Sequence, residues 1–204
     1  VISPTYANGQ TVLALNRKDG LAGRIQNWQA SVQQELPLGI LLDTAYVGSY
    51  GTHLETYIPF NQVDPAYLSL GALLSQPIGS PAVVAAGYSA PYAGFTGTLA
   101  QALRPYPQYN NMVSTYMGGG AASYNALQVK VEKRYSALTL LANYTWEKNL
   151  SINGAYTNAG NGVAPQDQYN LGVEKALSIQ DVPQTLNLVY TWDLPFGRGR
   201  KFLN

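Results

Sequence analysis

Cysteine is absent from this 204-residue chain, which excludes disulfides, thiolate chemistry and cysteine-based zinc sites. Histidine is almost absent, His53 being the only one. Charge is scarce, at 11 % of residues against roughly 25 % in a typical soluble domain. The net charge of +1 leaves no basic stripe for nucleic-acid phosphates, so no nucleic-acid partner is expected. Long apolar runs are missing too. No segment reaches the roughly 18 apolar residues of a spanning helix; the richest, Leu68 to Gly87, is broken by Gln76, Pro77, Gly79, Ser80 and Pro81. The opening VISPTYANGQ has neither a basic start nor an apolar core, so an exported protein of this kind is expected to have lost its original N-terminus.

What the chain does have is strict alternation. From Asn27 to Leu36, Trp28, Ala30, Val32 and Leu36 alternate with Asn27, Gln29, Ser31, Gln33 and Glu35. Period two marks a strand with one oily and one wet face. The same pattern predicts strands over about 25–36, 40–50, 123–135, 138–148 and 184–194. Pro37-Leu38-Gly39 and Ser136-Ala137 make tight turns between the first pair and the second. Long connections, 51–122 and 149–183, rich in Pro, Gly, Ser, Tyr and Asn, separate the pairs. Residues 1–24 read as loop. Pro65 to Leu74 suits a short helix with Asp64 as N-cap and proline in its first turn. Pro195 to Gly199 turns once more, and 201–204 looks like the start of a sixth strand.

Ionisable groups sort between the two faces. The apolar one carries only Lys133 and Lys148, near strand ends; the other carries Glu35, Asp43, Lys130, Glu132, Arg134, Glu147 and Asp193. A charge at the midplane of a membrane barrel costs roughly 2–4 kcal/mol, so a lipid-facing surface requires this segregation. The core of a soluble sandwich would require it too. The aromatics separate these readings. With strands alternating in direction, Trp28, Tyr46, Tyr50, Tyr144 and Trp146 gather at one end, and Tyr135, Tyr190, Trp192 and Phe196 at the other. Two such girdles around a Leu/Val/Ala band suit an outer-membrane barrel. The expected fold is therefore all-β: an antiparallel transmembrane β-barrel segment with two long extracellular loops.

The wording of these segments also carries a resemblance. NWQASVQQELPLGILLDTAYVGSYGTHL, NQVDPAYLSLG, YAGFTGTLAQALRPYPQY, SYNALQVKVEKRYSALTLLANYTWEKNL and QDVPQTLNLVYTWDLPFGRGRKF together resemble Oar-like TonB-dependent outer-membrane receptors of the acidobacterial type. The likeness keeps its order from Leu13 onward. It implies a 22-stranded barrel of which this chain holds five to six strands, an N-terminal plug, and coupling to the TonB–ExbB–ExbD motor. No plug or TonB box is recognisable here, and the final residues are not a terminal aromatic strand, so an interior slice of the barrel is expected. The implied function is active transport of a ligand, such as a siderophore, oligosaccharide or peptide, from the extracellular loops to the periplasm. The alternative is an extracellular β-rich binding or adhesion module without transport.

Chemistry-bearing constellations are few. A Ser-His-Asp hydrolase would need His53 as base, but nothing marks a nucleophile, and a loop-positioning role is the plainer reading. Asp64, Asp167 and Asp181 lack the Asp-x-Asp-x-Asp-Gly spacing of a calcium loop and read as caps. Neither enzyme activity nor a cofactor or metal is expected. The lumen and substrate-path candidates are Asp43, Lys130, Glu132, Arg134 and Glu147, the last four read first as an ion-pair ladder across a hairpin. The loop candidates for ligand contact are Tyr92, Tyr106, Tyr109 and Tyr116. Partners expected are outer-membrane lipid, the TonB motor through the missing plug, and the ligand.

Overall fold

A computed structural model describes residues 6–14, 19–152, 164–199 and 202. These hold seven strands: β1 (Thr11–Leu13), β2 (Arg24–Leu36), β3 (Ile40–Pro59), β4 (Asn111–Tyr135), β5 (Leu138–Ile152), β6 (Lys175–Leu177) and β7 (Gln184–Trp192). In the sheet β2, β3, β4, β5 and β6 follow one another, β1 pairs with β4 and β7 with β5. β2 and β7 each have a single neighbour, so the sheet is not closed among the described residues.

The turn chemistry acts as the sequence requires. Leu38 and Gly39 both take positive φ, 69° and 67°, the pattern of primed hairpin turns that matches the twist of paired strands. Ser136 does the same, at 50°, between β4 and β5.

Two strands run well beyond their expected ends, because their extensions do not alternate cleanly. β3 continues to Pro59, and His53 lies inside it rather than in a turn after it. His53 has a left-handed φ of 54°. Before it the buried residues are odd-numbered or glycine (Ala45, Gly48, Gly51); after it they are Leu54, Thr56 and Ile58. The buried set is thus irregular before His53 and even-numbered after it, which hides the strand from a period-two reading. β4 begins at Asn111, within the expected loop, in a stretch that includes Gly118-Gly119-Gly120. A Cβ on Gly119 would sit 2.7 Å from Ile58 Cδ1, so the small residues there admit close packing. The expected loop over 1–24 also contains β1, which pairs in parallel with Asn111–Val113.

By contact density the chain divides into two compact units. One comprises Val1–Arg24, Thr52–Ala121 and Ser151–Ala176. Its helical part has its own core of Ile78, Val83 and Leu99, packed with Leu70, Leu73, Leu74, Tyr88, Phe95 and Leu103. Pro65–Ser75 is a 3₁₀ helix kinked at Gly71, and the Asp64 carboxylate accepts the Ala66 N–H at 2.8 Å. Thr98 caps the short helix Leu99–Ala102 through the Gln101 N–H.

The other unit comprises Ile25–Gly51, Ala122–Leu150 and Leu177–Asn204. Here β5 and β7 pair antiparallel, with Leu138 opposite Trp192, Leu140 opposite Tyr190, Ala142 opposite Leu188 and Tyr144 opposite Leu186. Between them Thr139 meets Thr191, Asn143 meets Asn187 and Thr145 meets Thr185. The polar row is interrupted by Leu141 opposite Val189, and the apolar row ends where Trp146 meets Gln184. At the C-terminal turn Gly197 and Gly199 take positive φ, and Phe202 bridges back to Phe196. The other residues of the expected sixth strand, 201, 203 and 204, lie outside the described part.

Candidate functional site

The polar face of the strand unit forms a hollow of about 320 Å³. Gln29 and Ser31 of β2, Asp43 of β3, Gln128 and Lys130 of β4, and Asn143 and Thr145 of β5 line it. These seven come from the wet halves of their strands, with Ala45, Val129 and Tyr144 completing the lining, and the hollow brings together two expected lumen residues, Asp43 and Lys130. The expected ladder across the hairpin is corrected. Glu132 instead pairs with Arg134 of the same strand, at 3.2 Å, with the Arg134 side chain 79 % exposed. Residues i and i+2 of a strand share a face, and an exposed pair of this kind is worth roughly 0–1 kcal/mol. Glu147 accepts hydrogen bonds from the Tyr124 hydroxyl at 2.8 Å and from the Val182 N–H at 3.4 Å.

The opposite face of this unit is apolar and uncovered. Leu186, Leu188, Tyr190 and Trp192 are 55–68 % exposed, and Trp28, Val32, Tyr46, Tyr50, Tyr135 and Trp146 are exposed as well. Contiguous apolar surface of this extent marks contact with another apolar phase rather than with water. Trp28 lies flat on Gly48 of the neighbouring strand, where a Cβ would come within 2.2 Å of the indole. The Tyr46 hydroxyl donates to Asn125 Oδ1 at 2.6 Å, and that of Tyr144 to Gln184 Oε1 at 3.1 Å, giving these aromatics a polar anchor at one end.

The unit that contains the helical segment carries a cleft of about 560 Å³. Its walls are Asn8–Gly9, the turn Tyr92–Gly97, and Pro107, Gln108 and Asn110, with Gln101 behind them. Tyr92 and Phe95 meet edge to face, ring centroids 5.3 Å apart at 76°. The third wall is held from the rear. Gln101 Nε2 donates to the Pro107 carbonyl at 2.8 Å and to that of Tyr109 at 2.5 Å, and Arg104 donates to the Asn110 carbonyl. Asn61, buried, donates to the Tyr106 and Tyr109 carbonyls at 2.9 and 3.1 Å and accepts the Tyr106 N–H at 3.0 Å. The first wall is tied on by Gly9 N–H to the Gln108 carbonyl and Asn110 N–H to the Gln10 carbonyl.

Next to this wall, Arg104 borders a smaller cavity of about 220 Å³ with Pro59, Asn61, Gln62, Asn111 and Pro165. Its Nε is buried without a hydrogen-bond partner, and burial pushes the guanidinium below its ordinary range.

The expected tyrosines are not gathered at one place. Tyr92 lines the cleft, whereas Tyr106 and Tyr109 engage Asn61 through their main chains. The Tyr116 side chain lies outside the described part. Asp167 and Asp181 accept the N–H groups of Tyr169 and Asn149 at 2.8 and 2.6 Å. Among the described residues no group of three or more His, Cys, Asp or Glu could hold a metal. Phe95, Asn8, Gln101 and Arg104 escape a sequence reading, although the aromatic pair around the turn Ala93-Gly94 is a faint signal of the cleft.

An open sheet of long alternating strands, one face bare and apolar and the other polar and hollowed, defines the class as that of membrane β-barrel proteins. No helix among the described residues is long and apolar enough to cross a membrane, which says nothing against a crossing by strands. The model of the outer membrane beta barrel domain family matches residues 2–204, and the chain belongs to that family. Its location is therefore the outer membrane. No match to a curated protein or to a solved structure was found.

Proposed function

We propose that this chain forms part of an outer-membrane active transporter of the TonB-dependent, Oar-like kind, which captures a ligand on its extracellular side and passes it towards the periplasm. The observation that carries this reading is the two-faced sheet. The bare face of Trp28, Tyr46, Leu186, Leu188 and Trp192 suits lipid, and the hollow holding Asp43 and Lys130 suits a polar interior. The described part of 51–122 supports ligand capture, because it is a cored body with a preformed cleft and not a slack connection. The ordered resemblance to Oar-like receptors supports coupling to the TonB–ExbB–ExbD motor through a plug elsewhere in the parent protein. On this reading the protein binds and passes its ligand without catalysing a reaction on it.

Two measurements test the reading. Spin labels at Leu140 and Leu188 are expected to be quenched by lipid-soluble relaxants, and labels at Asn143 and Asn187 by aqueous ones; the reverse would overturn the face assignment. Uptake by cells carrying the full-length receptor is expected to stop when TonB is deleted, and uptake indifferent to TonB would remove the energised mechanism.

A further inference from the structure

We infer that the cleft between Asn8–Gly9, Tyr92–Gly97 and Pro107–Asn110 is a binding site for a neutral oligosaccharide. Within the transport proposal, on which this inference rests, that names the class of ligand captured.

Three properties of the cleft point to this chemistry. The first is its lack of charge. None of the lining residues is Asp, Glu, Lys, Arg or His, so a ferric chelate, a phosphate or a peptide carboxylate would enter without a counter-charge. Bringing an unpaired charge out of water costs several kcal/mol. Arg104, which donates to the Asn110 carbonyl, borders the smaller cavity and is not among the residues lining the cleft.

The second property is the pairing of aromatic surface with amides. Tyr92 and Phe95 are half-buried and set edge to face. A sugar ring offers one face of C–H groups to such a surface and a rim of hydroxyls around it. Each hydroxyl both donates and accepts, as does each primary amide. Asn8, Gln108 and Asn110 present amides of this kind. The lining mixes aromatic and amide groups, and a volume of about 560 Å³ falls in the range of small-molecule sites.

The third property is preorganisation. Gln101, Arg104 and Asn61 each bond main-chain carbonyls of 106–110 from the rear, so the wall is shaped before any ligand arrives. Phe95 is fixed from two sides. It packs on the Val83–Leu99 core, and its ring lies so close to Gly97 that a Cβ there would meet Phe95 Cζ at 2.6 Å. A rigid wall loses little freedom on binding, which suits a ligand whose individual contacts are weak.

The test uses the full-length receptor purified from membranes and an array of neutral oligosaccharides (gluco-, xylo-, manno- and galacto-hexaoses). Ferric citrate, inorganic phosphate and a tripeptide serve as charged probes. At least one neutral hexaose is expected to bind. Tyr92→Ala is expected to weaken that binding roughly three- to tenfold, the worth of one aromatic contact, whereas Tyr92→Phe retains it. Gly97→Val, which displaces the Phe95 ring without removing it, is expected to weaken it similarly while circular dichroism stays unchanged. No binding of any neutral hexaose, or binding indifferent to both Tyr92→Ala and Gly97→Val, would overturn the inference. So would a charged probe whose binding is the one lost in these variants. Binding is read without transport, so a hexaose that binds at Tyr92 but is not taken up in a TonB-dependent way upholds this inference and overturns only the transport reading.

Discussion

The strand unit and the helical segment use the same apolar residue types and treat them oppositely. Val83 and Leu99 have no exposed surface, and Ile78 has 6 %. Leu186 and Leu188, on β7, are 68 % and 59 % exposed. The difference lies in periodicity. Pro65 to Leu103 strings short helical turns together so that leucines converge on one another, as in any protein surrounded by water. β7 leaves its row exposed among the described residues, which is stable only where the surroundings are themselves apolar. One molecule therefore contains a region that makes its own oily phase and a region that borrows one.

Four substitutions break or sharpen that contrast. Leu99→Ala is expected to cost about 2–5 kcal/mol, the usual range for a leucine truncated in a filled core. Faster amide exchange confined to residues 65–103 is the readout. Leu188→Lys is expected to cost about 2–4 kcal/mol in protein folded into lipid vesicles, because it sets a charge in the band proposed to meet lipid. An unchanged unfolding curve there would remove the contrast altogether. Gly48→Ala is expected to cost about 1–3 kcal/mol by forcing Trp28 off the strand beside it, with a shift in tryptophan emission as the sign of the displaced ring. Glu132→Gln is expected to change stability by less than about 1 kcal/mol, since its partner Arg134 is largely solvated. A larger loss would mean that the Glu132–Arg134 pair is drier than its exposure indicates.

Much of the strand unit is legible in the sequence, because lipid and water on opposite faces impose period two with few exceptions. The β5–β7 register shows why: every apolar residue expected on one face from Leu138 to Tyr144 meets an apolar partner. The far half of β3 is not legible, since the buried set is irregular before the left-handed His53 and even-numbered after it. The first half of β4, with its glycine run 118–120, is silent for another reason. Small residues have no face to declare, and it is Ile58 and Leu171 against Gly119 and His53 against Gly118 that reveal their purpose. The cleft is the least legible part. Its walls come from segments distant in sequence, and amide side chains bonded to main-chain carbonyls fasten one of them. Bonds to carbonyls depend on where the chain goes and not on which residue supplies the oxygen, so no motif records them.

The parallel pairing of β1 with β4 has a consequence for the order in which the molecule assembles. Thr11 meets Asn111 about a hundred residues further along the chain, whereas the turns at Leu38–Gly39 and Ser136–Ala137 close over a few. Contacts of long sequence separation close large loops and come late in folding. Among the described residues three ladder pairs hold β1, flanked by main-chain hydrogen bonds from Gly9 to Gln108, Asn110 to Gln10 and Ala14 to Val113. Asn8 and Gly9, just before it, are thus expected to be the last part of the cleft to close and the first to open. Residence of a ligand there would be set by the fraying of this one short segment, Asn8 to Ala14.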